Sequence, residues 1–193
     1  AVPTTITGAG SLCVGATSTL SCTPSGGSWS STNIGVAIIG TSSGVVSTVS
    51  VGTTIISYTM PAGCAATRIV TVEPLPAPIT ATGFSVCEGQ TTTLSCTTMG
   101  GTWSINPAAT ATVTASGTVT GINAGSATAS YTLPTGCRQT ATVTVFALPA
   151  TITATPSFGV CVGNTTTLNS TPGGTWSIFN TTIGIITTGG VLT

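Results

Sequence analysis

Apolar and polar positions alternate one by one through most of the chain, and apolar residues do not recur at three- and four-residue spacing anywhere. Alternation with a period of two places one row of side chains on a core and the other in water, so it predicts β-strands and no helix. Thr17-Ser18-Thr19-Leu20-Ser21-Cys22 reads as a strand with Leu20 and Cys22 on one face. Leu94 with Cys96, and Leu168 with Ser170, repeat that arrangement. A Gly-Gly turn then leads onto strands that carry Trp29, Trp103 and Trp176. Further short strands follow at Val36 to Ile39 and Gly44 to Val46, with longer ones at Val51 to Thr59 and Arg68 to Val72. Each copy opens on a short β-favouring run after proline, Pro3 to Thr7 in the first. About seven short strands separated by glycine and proline turns predict an antiparallel β-sandwich.

The pattern is written three times. First cysteines fall at 13, 87 and 161, a period of 74 residues, followed each time by the Thr-Leu strand and the tryptophan strand. The predicted units are residues 1–76, 77–149 and 150–193. Units one and two run into the next through Leu75-Pro76 and Leu148-Pro149, where the fixed φ of proline stiffens the joint. The third lacks counterparts of Tyr58, Cys64 and Val70, so it cannot close alone, and further copies in a longer chain are expected. Core residues are expected at Leu20, Trp29, Ile55, Leu94, Trp103, Leu168 and Trp176, because tryptophan and leucine remove the most apolar area from water.

These residues carry a resemblance. The order Val-Gly, Thr-x-Thr-Leu, Trp-Ser, then Gly117-Thr118-Val119-Thr120-Gly121-Ile122-Asn123-Ala124-Gly125-Ser126-Ala127-Thr128 and a closing Thr-Val-Thr-Val resembles the bacterial immunoglobulin-like group 2 domain. It covers every copy. The Cys-Val-Gly and Leu-Pro-Thr-Gly-Cys variants joined by Leu-Pro steps resemble arrays in very large surface proteins of Bacteroidota, many of them exported by the type IX system. The resemblance implies tandem immunoglobulin-like sandwiches arranged as a rod, in the stalk of an adhesin or a related surface filament.

Composition narrows the function. The chain holds 2 basic and 2 acidic residues and no histidine, with 40% hydrophobic residues and a mean hydropathy of +0.58. Threonine makes up about a quarter of it, so hydroxyls do the solvating. The absence of His, Asp and Lys removes a Ser-His-Asp triad, a lysine nucleophile and a histidine metal site. Glu88 stands where the other copies have Val14 and Val162, and two glutamates are too few for calcium. Arg68 and Arg138 read as solvated and cannot neutralise a phosphate backbone. No apolar run is long enough to span a bilayer as a helix. The expectation is a non-catalytic protein without cofactor or metal, outside the cytoplasm, with no nucleic-acid partner and no membrane insertion.

Cysteine placement is the most specific chemistry present. Cys13, Cys22, Cys64, Cys87, Cys96, Cys137 and Cys161 sit on β-rich repeats without a metal-type C-x-x-C pair, which points to an oxidising compartment. In an immunoglobulin-like sandwich the turn after the first strand and the hairpin tip holding Cys64 or Cys137 lie at opposite ends, too far apart for one bond. Two schemes remain. Cys22 pairs with Cys64 and Cys96 with Cys137 inside each unit, or Cys13 pairs with Cys137 across the junction. The second accounts for Cys161 through a further copy and leaves Cys22 and Cys96 as buried thiols.

A structural repeat segment whose partners are neighbouring repeats is therefore the leading expectation. The alternative is a carbohydrate- or ice-binding surface, for which threonine rows exist at Thr110-Ala111-Thr112 and Thr142-Val143-Thr144. Self-assembly into a filament is a further expectation, because no lysine guards the strand edges.

Overall fold

A computed structural model describes residues 2–170 and 174–193. Ala1, Thr171, Pro172 and Gly173 lie outside the described residues, and with them the first glycine of the third Gly-Gly turn. The protein is all-β, with no helix among the described residues, and it divides into two units, 1–146 and 147–193.

The first unit holds two sandwiches with separate cores. In the first repeat, β1 (Ser11–Cys13), β7 (Ala65–Glu73), β6 (Gly52–Thr59) and β3 (Ser28–Ser31) form one sheet in the order β1-β7-β6-β3. β2 (Thr17–Thr19), β5 (Val45–Thr48) and β4 (Ala37–Ile39) form the facing sheet, in the order β2-β5-β4. The second repeat builds one sheet from β12 (Ala111–Val113), β13 (Thr118–Gly121), β10 (Thr91–Ser95) and β8 (Thr80–Ala81). Its other sheet runs β11 (Thr102–Asn106), β14 (Gly125–Thr132), β15 (Arg138–Phe146), β9 (Ser85–Cys87). The second unit carries a three-stranded sheet of β16 (Thr153–Thr155), β17 (Thr166–Asn169) and β18 (Val191–Leu192).

The opening segment of each complete repeat serves both sheets. In repeat two β8 pairs antiparallel with β10, then the chain crosses at Gly83 and β9 pairs parallel with β15. In repeat one Thr7 bridges Ser21 before β1 runs parallel to β7. Sequence pattern alone gives only the first half of this segment, because Gly8-Ala9-Gly10 interrupts the alternation where the chain changes sheets. The crossing covers the β7 edge and delivers Cys13 to the end of the sandwich.

Leu20 and Leu94 are buried at 2% and 1% exposure, Trp29 is buried, and Trp103 is half-buried against the second core. Leu168 and Trp176, in the second unit, are half-buried. Ile55 does not belong to the core. It is 43% exposed and faces Ile69 on the outer surface, while Ile56 is fully buried. Two adjacent isoleucines leave the alternation undecided, and the register is fixed three-dimensionally by Tyr58, which pairs with Trp29 across β6 and β3. The rings of Trp29 and Tyr58 pack at 4.6 Å and those of Trp103 and Tyr131 at 4.8 Å.

Each tyrosine hydroxyl closes the loop before the tryptophan strand. Tyr58 Oη accepts from the Gly27 amide and donates to the Pro24 carbonyl, and Tyr131 Oη accepts from Gly101 and donates to Thr98. A Cβ on Gly27 or Gly101 would fall 2.5 Å from the tyrosine ring, so glycine is required there for close approach rather than for flexibility. Tyr131→Phe leaves the Gly101 amide and the Thr98 carbonyl without this partner. It is expected to destabilise the first unit by about 1–3 kcal/mol in chemical denaturation.

Arg68 is also not merely solvated. Its Nη1 donates to the Ile6 carbonyl at 2.7 Å and its Nη2 to the Gly8 carbonyl at 2.8 Å, tying the crossing segment to β7.

Candidate functional site: the repeat junction

The feature that joins the two sandwiches is built from two preformed turns. At the end of β1, the Ala16 amide donates to the Cys13 carbonyl at 3.0 Å, with Gly15 at a φ of +81° that L side chains rarely adopt. Thr48 Oγ1 donates to the carbonyls of Cys13 (2.7 Å) and Ala16 (3.0 Å), holding this turn against β5. The second turn is the tip of the β14–β15 hairpin. There the Leu133 amide donates to the Cys137 carbonyl at 2.8 Å and the Gly136 amide to the Leu133 carbonyl at 2.9 Å.

Cys13 and Cys137 form a disulfide across the junction, with Cα atoms 5.6 Å apart and a separation of 124 positions in sequence. That separation lies within the range an unforced disulfide spans. Pro76, in the Leu-Pro joint, is buried, and Cys137 is buried at 1% exposure. Cys64 occupies the same place on the equivalent β6–β7 tip and is exposed. The tip of repeat two is therefore seated on the foot of repeat one, and the joint between them is closed covalently as well as by the Leu-Pro segment.

The pairing within each unit is not formed. Cys22, Cys64, Cys87, Cys96 and Cys161 are free thiols. Cys22 Sγ donates to the Thr4 carbonyl at 3.2 Å and Cys96 Sγ to the Ala77 carbonyl at 3.3 Å. Ser170 Oγ donates to the Ala150 carbonyl at 2.8 Å. All three copies thus tie the opening segment to the Thr-Leu strand through a side-chain donor in one slot, and sulfur is not needed for that purpose. The serine in copy three is the signal by which the sequence gives away this role. Cys22→Ser is expected to change stability by less than about 0.5 kcal/mol, and Cys22→Ala to cost about 1 kcal/mol through the lost donor. Thermal melts of the two variants check this.

The remaining sequence candidates are not brought together with the junction disulfide. Glu88 Oε1 accepts from the Ala124 amide at 2.7 Å and so fixes a loop of repeat two. Among the described residues, no group of three or more His, Cys, Asp or Glu side chains is placed to hold a metal ion. A shallow cleft beside Trp29 is lined by Leu20, Cys22, Gly27 and Tyr58 and carries no charged side chain. The threonine rows do lie outward in repeat two, where Thr112 faces Thr120 and Thr142 faces Thr128. In repeat one the matching positions are Ile38 and Ile69, both exposed, so the hydroxyl rows are not continued from copy to copy.

No protein-family model matches the chain, and no curated protein matches it. Among solved structures, it is similar to domains 4 and 5 of the S-layer protein SbsC, at 20% identity and a TM-score of 0.38, over 77% of this chain and 100% of that one. It is similar to the C-terminal 282-residue fragment of intimin, solved in complex with the translocated intimin receptor's intimin-binding domain. The identity is 18% and the TM-score 0.45, over 80% and 67% of the two chains. It is also similar to murine CEACAM1b, at 13% identity and a TM-score of 0.31, over 75% and 99%.

Proposed function

We propose that this chain is a non-catalytic structural repeat segment of an extracellular stalk, adhesin or filament, of the bacterial immunoglobulin-like group 2 type. The observation that carries this reading is the Cys13–Cys137 disulfide, which joins two separately cored sandwiches rather than closing a site. A bond in that position suppresses hinge motion at the Leu-Pro joint and fixes the spacing of successive units. It also fits an oxidising compartment, where disulfides persist. The scarcity of charge supports the same reading, since the chain holds neither the carboxylates of a calcium joint nor the acid-base pair of an enzyme.

Force spectroscopy tests the mechanical role. Pulled from its ends, the oxidised chain can extend only outside residues 13 to 137, so about 400 Å of contour length stays locked at roughly 3.3 Å per residue. Adding a reductant is expected to release that length. Equal extension with and without reductant would sink the proposal. The stiffness of the chain is further expected to be unchanged by EDTA, measured as the melting temperature and the unfolding force with and without chelator.

A further inference from the structure

We infer that Thr48 is the positioning residue of the Cys13–Cys137 disulfide, holding Cys13 where Cys137 can reach it before the bond closes. The inference deepens the proposed stalk function and rests on it. Thr48 stands on the core-facing row of β5, two residues after the fully buried Val46, and is itself 8% exposed. A hydroxyl in that row must find an acceptor, because a buried polar group left unpaired costs more than its bond would have gained. Its acceptors lie in the cysteine turn. Thr48 Oγ1 donates to the Cys13 carbonyl at 2.7 Å and to the Ala16 carbonyl at 3.0 Å, and the Thr48 amide also donates to Ala16 at 3.0 Å. The backbone alone therefore ties Ala16 to β5, and only the hydroxyl ties Cys13 itself to the facing sheet.

Repeat two fills the same slot in another way. Gly121 pairs with Ala111 as Thr48 pairs with Ala37. Its amide donates to the Gln90 carbonyl at 3.0 Å and its carbonyl accepts from the Gly89 amide at 2.9 Å. A Cβ on Gly121 would fall 2.9 Å from the Cys87 carbonyl oxygen, so no side chain fits there. Such a turn can thus be held by backbone alone, and the hydroxyl in repeat one does something further: it fixes the Cys13 carbonyl and with it the direction of the Cα–Cβ bond. Among the described residues, no other side chain hydrogen-bonds to the turn 13–16 or to the hairpin tip 133–137. Closing the bond takes two electrons and two protons from the two protein thiols and passes them to an oxidant such as glutathione disulfide, which becomes two thiols. The chain's share of that equilibrium is the fraction of time Cys13 already stands within reach of Cys137. A turn loosened in the reduced protein must be ordered again on closure, and that entropy weakens the bond. One hydrogen bond of ordinary net strength corresponds to about a tenfold change in the closure constant, or about 30 mV.

The test equilibrates the full chain at graded ratios of reduced to oxidised glutathione and reads the fraction of Cys13–Cys137 peptide by non-reducing mapping. Thr48→Val keeps the shape and removes the hydroxyl, and is expected to close the bond with a constant about tenfold below wild type, while Thr48→Ser stays within about twofold. Thr54→Val is the control. Thr54 is buried in the same sandwich, but its hydroxyl meets Ser31 Oγ at 2.9 Å and accepts from the Asn33 amide at 3.0 Å, so its loss lowers stability without moving the constant. An unchanged constant in Thr48→Val, or an equal shift in Thr54→Val, would make Thr48 an ordinary core contact and overturn the inference. Guanidinium denaturation gives a second reading, which holds even if reduced Thr48→Val does not fold. The midpoint loss from Thr48→Val is expected to be larger in the oxidised protein than in the Cys13→Ser background, and an equal or smaller loss overturns the inference too. A wild-type map without the Cys13–Cys137 peptide would overturn the stalk reading along with this one, whereas a bond that forms and ignores Thr48 overturns this inference alone.

Discussion

Cys13→Ser, or reduction of the wild-type protein, is expected to lower the unfolding free energy of the first unit by about 2–4 kcal/mol, the largest effect of any exchange away from its two cores. A disulfide acts mainly by restricting the unfolded chain, and the restriction grows with the length of the closed loop. Here the bond joins residues 124 positions apart, leaving only β15 and the opening segment of repeat one outside the closed loop, so the chain-entropy value sits at the top of the range, about 5 kcal/mol, before native-state cost is subtracted. Guanidinium denaturation of the full chain, with and without reductant, measures it. Reduction should bring the wild type to the midpoint of Cys13→Ser and should leave the variant itself unchanged. An unchanged midpoint in Cys13→Ser would show that the two sandwiches hold together without the bond. Cys22→Ser serves as the control, since that thiol pins the opening segment by a hydrogen bond and closes no loop.

Ile56→Ala is expected to cost about 2–5 kcal/mol, and Ile55→Ala less than about 1 kcal/mol, although the two residues are neighbours of the same type. Ile56 is fully buried among Trp29, Val46 and Val70 in the first core, and truncating it leaves a cavity that the facing sheets cannot collapse into. Ile55 is 43% exposed and stands opposite the exposed Ile69 across the strand pair, so truncating it leaves no enclosed cavity. The measurement is the same denaturation experiment on each variant. A larger loss for Ile55 would mean that β6 is paired one residue out of register, which would turn Tyr58 away from Trp29 as well. The hydroxyl contacts of Tyr58 to Gly27 and Pro24 argue against that register, because they exist only if the ring points inward.

A period of two without any helical spacing, repeated at 74-residue intervals, was sufficient for an all-β fold, because a strand can bury one face only by alternating. Leu20, Leu94, Trp29 and Trp103 could also be assigned inward, since each is a large apolar side chain standing alone between polar neighbours, so only one face of its strand has apolar area to remove from water. The inventory of ionisable groups, 2 basic and 2 acidic residues and no histidine, limits the chemistry from the sequence alone. Three things required the tertiary structure. Adjacent isoleucines at 55 and 56 satisfy either register equally, and the Trp29–Tyr58 contact between strands chose one. The opening segment changes sheets at glycines, where alternation carries no signal, and Arg68 supports it through two carbonyls 60 and 62 residues away. Seven cysteines admit several pairings, and sulfur forms a bond only where backbones bring two Cα atoms within about 7 Å. That distance is set by how the hairpin tip of one repeat seats on the turn of the repeat before it, a contact between residues 124 positions apart that no local pattern encodes.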